Sequence, residues 1–372
     1  MNLSTVILAR DEEATIASAI RSVSPICDEV VVCLDPRTND RTAEVAATAG
    51  ARVLPLADWR GMEHARNESL RACGGDWILQ LDGHEQLGSG GERLLAFLRQ
   101  ADSLNVVSVL LATSEREGGV VAPVPRIVRR GSTALRGEVH PTPPESTRGV
   151  LLSGVHLVHD DPRSSSEIYR ERQSERFRLL VDEAASETVE PARLSYMIEA
   201  AAALDRHWLA VTCGMGWYEG PPGRQAQKER RSFIGRIVSR SLLQQGAYDV
   251  GLEFSARVVR DHPSYADAWI ALGDALQVLE QPGRASEAYI AALRCPDPRA
   301  GWFRRRSNTW LPRVRLAGLS LASGEMVAAT RLLHEGARSA GYDPNTTERI
   351  AALAHSVSED AELVRTELAS FE

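Results

Sequence analysis

A chain of 372 residues exceeds one typical hydrophobic core and suits two domains. Its 43% hydrophobic and 25% charged residues are those of a soluble globular protein, which excludes disorder as the ground state. A formal net charge of −7 argues against a dedicated nucleic-acid binder, whose footprint is a basic excess. Lys228 is the only lysine, so arginine carries nearly all the positive charge. Basic clusters occur at Arg126, Arg129 and Arg130, at Arg230 and Arg231, and at Arg304 to Arg306. All have the chemistry to meet phosphate, but the last two read as solvated surface. The five cysteines, Cys27, Cys33, Cys73, Cys213 and Cys295, form no C-x-x-C pair and sit mostly in apolar strings, which fits a reducing compartment. Met1-Asn2-Leu3-Ser4 lacks the basic start of a signal peptide, and apolar runs such as Val106 to Ala112 are too short to span a membrane. The expectation is a soluble, cytoplasmic protein with no membrane partner.

The first hundred residues alternate strand and helix signals. Thr5 to Ala9 reads as a buried strand, and Ala14 to Val23 as a helix with Ile16, Ile20 and Val23 on one face. Glu29 to Leu34 is a second strand, and Asp40 caps a helix that stops at Gly50. A strand at Arg52 to Leu56, a helix from Met62 to Cys73 and a strand at Trp77 to Leu81 follow. Strict alternation implies parallel strands joined by right-handed crossovers. From Asn105 the texture changes. Val106 to Ala112, Val120 to Val128, Ser132 to Val139 and Val150 to Val158 all read as strands, an antiparallel or mixed addition to the sheet.

Beyond Ser164 the pattern is helical to Glu372. Trp269-x-x-Leu272-Gly273-x-x-Leu276, followed by Ala285, Tyr289 and Ala292, fits the tetratricopeptide pattern with leucine in the tyrosine place. One repeat of roughly 34 residues earlier, Leu242, Gly251 and Pro263 occupy matching positions. A third unit has Leu316-Ala317, Gly324, Ala329 and Leu333. Gly273 and Ala285 are expected to let the two helices of a unit approach closely, while Leu272 and Tyr289 fill the gap between units. The expected division is a catalytic domain over 1–164, a helical connector over 165–225 and repeats over 226–372.

Ligands of open parallel sheets bind beyond the carboxyl ends of the strands. Asp35 closes the second strand and Asp82 the fourth. No G-x-G-x-x-G follows the first strand and no G-x-x-x-x-G-K-S/T occurs, so dinucleotide and P-loop readings lose their support. Carboxylates repel phosphate unless a divalent cation lies between them, so this acidic edge suggests a metal-bridged diphosphate. The sharpest string is Asp82-Gly83-His84-Glu85, three ionisable side chains crowded at the end of a buried strand.

At these residues the sequence resembles the family 2 glycosyltransferases, in particular the bacterial subgroup of lipopolysaccharide-core-type enzymes and peptide S-glycosyltransferases. The matching strings are ILARDEEATIASAIRSV, DEVVVCLDPRTNDRTAEVAATAGARVLPL, HARNESLRACGGDWILQLDGHEQL and, more loosely, PRIVRRGSTALRGEVH and GVHLVHDD. The resemblance implies an α/β GT-A fold, a nucleoside-diphosphate sugar donor, UDP-linked, and inversion at the anomeric carbon. It also implies a divalent metal, Mn²⁺ or Mg²⁺, and members of the subgroup often carry tetratricopeptide-like tails. The family's D-x-D element falls on Asp82, Gly83 and His84, with histidine where the family usually has its metal-binding aspartate; Glu85 is placed to supply the missing carboxylate. Asp35 matches the aspartate near the base and ribose, and Ala9, Arg10 and Asp11 match the loop that walls the nucleotide. Arg66 matches an arginine beside the donor phosphates. His140 matches a histidine normally followed by glutamate, here Pro141, which leaves Glu138, His140 and Glu145 as candidate bases. His159 matches a later histidine that completes the metal shell in some GT-A enzymes, a role less expected of His156.

The implied reaction has an acceptor attack the anomeric carbon while Glu138 or His140 takes its proton. The acceptor would be a protein, peptide or glycan gathered by the concave helical repeats, which are also suited to a homodimer contact. Rival readings are an inactive transferase-like scaffold acting through its repeats, a nucleotidyltransferase, which the acidic Arg10-Asp11-Glu12-Glu13 loop disfavours, and sugar transfer onto modified phage DNA, which the net charge disfavours.

Overall fold

The computed structural model describes residues 1–113, 119–144, 146–161, 166–186, 191–296, 303–341 and 343–371. The chain divides into two compact units, residues 1–117 with 121–165, and residues 118–120 with 166–372.

The N-terminal unit begins with the alternation that the sequence predicts: β1 (Leu3–Ala9), α1 (Ile16–Val23), β2 (Glu29–Leu34), α2 (Thr42–Thr48), β3 (Arg52–Pro55), α3 (Met62–Arg71) and β4 (Trp77–Asp82). Ile16, Ala19, Ile20 and Val23 lie one helical turn apart along α1 and are all buried against the sheet. Ile16, Ile20 and Val23 each contribute roughly 1.5–3 kcal/mol of burial. Asp40 takes the Thr42 amide at 2.9 Å and so starts α2. Then come β5 (Glu85–Ser89), α4 (Gly91–Leu98), β6 (Val106–Thr113), β7 (Val120–Arg129) and β8 (Gly149–His159).

The strand order is β3-β2-β1-β4-β7-β6-β8-β5. β1, β2, β3 and β4 pair in parallel. β7 runs antiparallel to β4 and to β6, β8 runs parallel to β6, and β5 pairs antiparallel with β8. This is a mixed, GT-A-like sheet. Register places Leu8 beside Asp82 and Ala9 beside Leu34, so Ala9, Asp35 and Asp82 leave the sheet together where chain order reverses about β1. That position is the ligand edge of an open α/β sheet.

Residues 132–139 do not form the expected strand; a single bridge between Arg136 and Thr142 is their only pairing among the described residues. Left-handed backbone at Gly131 (φ 71), Gly137 (φ 94) and His140 (φ 49) breaks the extended run. Side chains of α3 meet its backbone instead. Asn67 accepts from the Leu135 amide and donates to the Leu135 carbonyl, both at 2.9 Å, and Glu63 accepts the Gly137 amide.

The second unit is helical: α5 (Ser166–Ser186), α6 (Pro191–Ala203), α7 (His207–Glu219), α8 (Pro221–Gln225), α9 (Lys228–Gln244), α10 (Tyr248–Asp261), α11 (Ala266–Val278), α12 (Pro282–Arg294), α13 (Trp310–Ala322), α14 (Met326–Ser339), α15 (Pro344–Ser356) and α16 (Ala361–Ala369). A 3₁₀ turn, Arg305–Asn308, precedes α13. Successive helices pack as hairpins, α9 on α10, α11 on α12 and α13 on α14. Ala285, Tyr289, Ala317, Ala329 and Leu333 are all fully buried. The open face of Gly273 on α11 receives the Tyr289 ring of α12, so the missing side chain does let the two helices of the hairpin approach. Tyr289 therefore fills the space within its own hairpin, where its hydroxyl meets Asp274 at 2.8 Å and Gln277 at 2.9 Å. Leu272 packs against the cores on both sides of its hairpin, as a residue between units should. No described helix is long and apolar enough to cross a membrane.

Candidate active site

The carboxyl end of β4 delivers Asp82, half-buried beside β1. The chain turns at Gly83, whose missing side chain leaves room for that of Glu12, and re-enters the sheet at Glu85. Glu85 and His159 stand opposite each other in the antiparallel pairing of β5 with β8. That pairing carries His159 back to the β4 end. The His84 and His159 rings meet edge to face with centroids 4.5 Å apart. One ligand atom from each of Asp82, His84 and His159 lies within 4.8 Å of the other two, a candidate metal site.

Each histidine is oriented by a buried carboxylate. His84 Nδ1 lies 2.9 Å from Glu12 Oε1, and His159 Nδ1 lies 3.2 Å from Glu85 Oε1. Glu12 is 5% exposed and Glu85 fully buried. An ionised carboxylate only accepts, so Nδ1 carries the hydrogen and the lone pair falls on Nε2, the arrangement usual behind metal-bound histidines. Two imidazoles with one carboxylate suit a transition-metal dication, Mn²⁺ among them, better than Mg²⁺, which holds to oxygen ligands. The residues present thus fit a divalent metal.

Glu85 itself is turned into the fold: its carboxylate accepts the Asp82 amide at 2.9 Å and the Arg126 guanidinium. Arg66, 7% exposed on α3, donates to Asp82 and to the Leu81 carbonyl, and Arg126 reaches the other Asp82 oxygen at 3.5 Å. Burial would raise the Asp82 carboxyl, but Arg66 and then Arg126 hold it well below the usual carboxylate range. Glu85 is likewise lowered, burial being opposed chiefly by Arg126. The cluster therefore holds two carboxylates in their ionised form between two guanidiniums.

Asp35, 1% exposed, receives the Arg37 amide and Nε at 2.9 Å each. Burial pushes its carboxyl up, and the Arg37 hydrogen bonds bring it below the ordinary value. Arg37 in turn lies 4.0 Å from the Trp59 ring centroid, a flat cationic and aromatic surface beside Asp35. Ala9 is buried, Arg10 is exposed, and Asp11 (φ 51) fixes the neighbouring loop by accepting the Asn39 amide at 2.8 Å. Glu138 Oε2 accepts the Met62 amide at 2.7 Å at the start of α3. His140 is exposed, and Glu145 lies outside the described residues. His156 contacts Ser89 at 3.1 Å and is not part of the metal-ligand cluster.

Glu12 and Arg126 were not expected at this site. Within Arg10-Asp11-Glu12-Glu13 nothing local tells the buried Glu12 from the exposed Glu13. Arg126 stood out only as one of a basic cluster, and its neighbour Arg129 is structural, stacked 4.6 Å from the Trp77 ring.

Residues 4–136 match the Glycosyl transferase family 2 model. This stretch of the N-terminal unit is similar to family 2 glycosyl transferases. Over 85 residues the chain is 40% identical to an uncharacterized glycosyltransferase of Rickettsia typhi, covering 23% of this chain and 28% of that protein. Over 86 residues it is 40% identical to a TPR repeat-containing protein of Synechococcus elongatus, covering 23% of this chain and 21% of that one. The chain thus spans about a quarter of the length of these relatives. A structure of Mycobacterium tuberculosis glucosyl-3-phosphoglycerate synthase with Mn²⁺, UDP-glucose and phosphoglyceric acid aligns at 26% identity and a TM-score of 0.27, covering 30% of this chain and 44% of that one. At that score the likeness to transferases rests on the strand order and on the family match. The match ends at residue 136, short of His159.

Proposed function

We propose that the chain is an inverting, metal-assisted glycosyltransferase moving a sugar from a nucleoside-diphosphate donor, UDP-linked, to a protein, peptide or glycan. The observation that carries this is the convergence of Asp82, His84 and His159 at the ligand edge, beside two arginines. Asp82, His84 and His159 would hold Mn²⁺ or Mg²⁺, with Glu12 and Glu85 orienting the two imidazoles. Bound there, the metal would supply Lewis-acid charge for the diphosphate leaving group. Arg66 and Arg126 would add fixed positive charge beside the same oxygens. Asp35, with the Arg37–Trp59 surface, would hold the base and ribose, and Ala9, Arg10, Asp11 and Gly83 would wall the nucleotide.

Inversion requires a group to take the acceptor's proton on the face opposite the diphosphate. Glu138 and His140 share one loop fixed to α3. His140 has the imidazole suited to proton transfer near neutral pH, and Glu138 has one oxygen engaged by Met62. In this reading residues 1–164 are the transferase, 165–225 a connector, and 226–372 a tetratricopeptide-like array that gathers the acceptor or pairs two chains.

Calorimetry with a panel of nucleotide sugars, with and without Mn²⁺, is the test. One donor should bind in a metal-dependent way and lose that binding in His84→Ala. Binding of no donor under any metal would sink the transferase reading. A scaffold reading would then take its place, because Arg66 and Arg126 already balance Asp82 without a metal.

A further inference from the structure

Asp35, the aspartate expected near base and ribose, turns its carboxylate onto Arg37. Its side chain is 2% exposed, and both of its oxygens are engaged. Oδ1 accepts the Arg37 amide and Nε, each at 2.9 Å, and Oδ2 accepts Arg37 Nη2 at 2.5 Å. A two-pronged pair of this kind fixes the plane of a guanidinium as well as its place. The Asp35 amide bonds to the Ala9 carbonyl at 3.0 Å, which ties the pair to the carboxyl ends of β1 and β2. Trp59, in the connection from β3 to α3, has its ring centroid 4.0 Å from the Arg37 guanidinium carbon and covers that group on one side.

The Arg37 side chain is nevertheless 44% exposed. Asp35 uses Nε and one side of Nη2, so Nη1 points away from the carboxylate, and it makes no hydrogen bond among the described residues. What remains open is a rigid edge of N–H donors with no acceptor of its own. Its place in the sheet says which part of a nucleotide would meet it. A diphosphate at the Asp82 end of β4 lies across β1 from β2 and β3, so the base would reach outward to Arg37 and Trp59. The ring edge that arrives first is the one farthest from the ribose, which in a pyrimidine is position 4. Uracil has a carbonyl there and cytosine an amino group. An N–H edge pairs with the first and is left facing another donor by the second.

We propose that Arg37 reads position 4 of the donor's base and selects uracil over cytosine, and that Asp35 is a positioning residue acting through Arg37. This rests on the reading of the β4 end as a nucleotide-sugar site.

Calorimetry of the full chain with Mn²⁺, comparing UDP with CDP, tests it. Wild type should bind UDP more tightly than CDP by about tenfold or more. Arg37→Leu should bring the two affinities together, chiefly by weakening UDP. Asp35→Asn should lower the same ratio, and adding it to Arg37→Leu should change the ratio no further. Equal affinity for UDP and CDP in wild type overturns the proposal while leaving a nucleotide site in place. So does a preference that survives Arg37→Leu but disappears in Asp35→Asn, since Asp35 would then meet the base itself. Binding of neither nucleotide removes the transferase reading and this inference with it. Should Asp35→Asn fail to fold, the wild-type and Arg37→Leu ratios decide the role of Arg37.

Discussion

His84 and Glu12 meet at 2.9 Å, ring Nδ1 to carboxylate, across 72 residues of sequence. The contact sets the ring's tautomer and the direction of its other nitrogen. Glu12→Gln replaces a pure acceptor by an amide that can present either its carbonyl or its NH₂. Its expected effect is a loss of about 10–100-fold in Mn²⁺ affinity with little change in fold, read by Mn²⁺ titration followed by electron paramagnetic resonance. Unchanged affinity would mean that the histidine does not ligate through the nitrogen Glu12 exposes.

Glu138 and His140 separate by what each also does structurally. Glu138→Gln keeps a carbonyl acceptor for the Met62 amide, so unfolding should stay near wild type. Glu138→Ala removes the acceptor and should cost about 1 kcal/mol. If Glu138 takes the proton, Glu138→Gln lowers kcat by at least ~100-fold at unchanged stability. If His140 does, that loss appears in His140→Ala instead.

Gly61 precedes α3 with φ 104, and a Cβ there would overlap the Glu138 carboxylate. Gly61→Ala is therefore expected to displace the 135–138 loop and to destabilise the N-terminal unit by about 1–3 kcal/mol. Urea denaturation checks the energy, and loss of acceptor turnover with donor binding retained checks the displacement.

Gly273→Ala tests the hairpin packing in the same way. The added methyl would fall inside the Tyr289 ring, and overpacking of this kind costs about 1–3 kcal/mol. Gly283→Ala, where a Cβ meets nothing, is the matched control and should be neutral or slightly stabilising in chemical denaturation.

His262 gives the helical unit a pH dependence. It is 3% exposed, neither ring nitrogen has a hydrogen-bond partner among the described residues, and burial, then Arg231, push its pKa down from 6.5 to about 4. Between those values the unfolded chain takes up a proton that the folded one refuses. Stability is complete above about pH 6.5 and falls as pH drops toward 4, by roughly 3 kcal/mol in all. His262→Phe should flatten the difference in urea midpoint between pH 7 and pH 4.5 relative to wild type.

The first half of the sheet was legible because the buried parallel strands β1, β2 and β4 are mostly apolar runs, as in Val30 to Leu34, and α1 between the first two has one apolar face. Asp35 and Asp82 could be placed because strand ends are where such sheets bind ligands. β5 was not legible: Glu85–Ser89 has no apolar pattern, and only its pairing with β8 makes it a strand. The opposite error fell on residues 132–139, where strand-like composition loses to left-handed backbone and to Asn67 and Glu63. Arg304, expected on solvated surface, is 6% exposed and donates to the buried Asp267, a burial that arises from helix packing and carries no local signal.

The pairing of β5 with β8 also governs when the site can exist. Asp82 and His84 come early in the chain, whereas His159 is its last described strand residue before the helices. Two of the three candidate ligands are thus present once the chain has passed β4, but the third arrives only after the sheet has added its far edge. A ribosome-bound chain stopped before residue 159 would have the proposed nucleotide wall without the completed candidate metal cluster. Tight metal capture would then be a property of the finished sheet, and its onset during synthesis a marker for closure of the last strand.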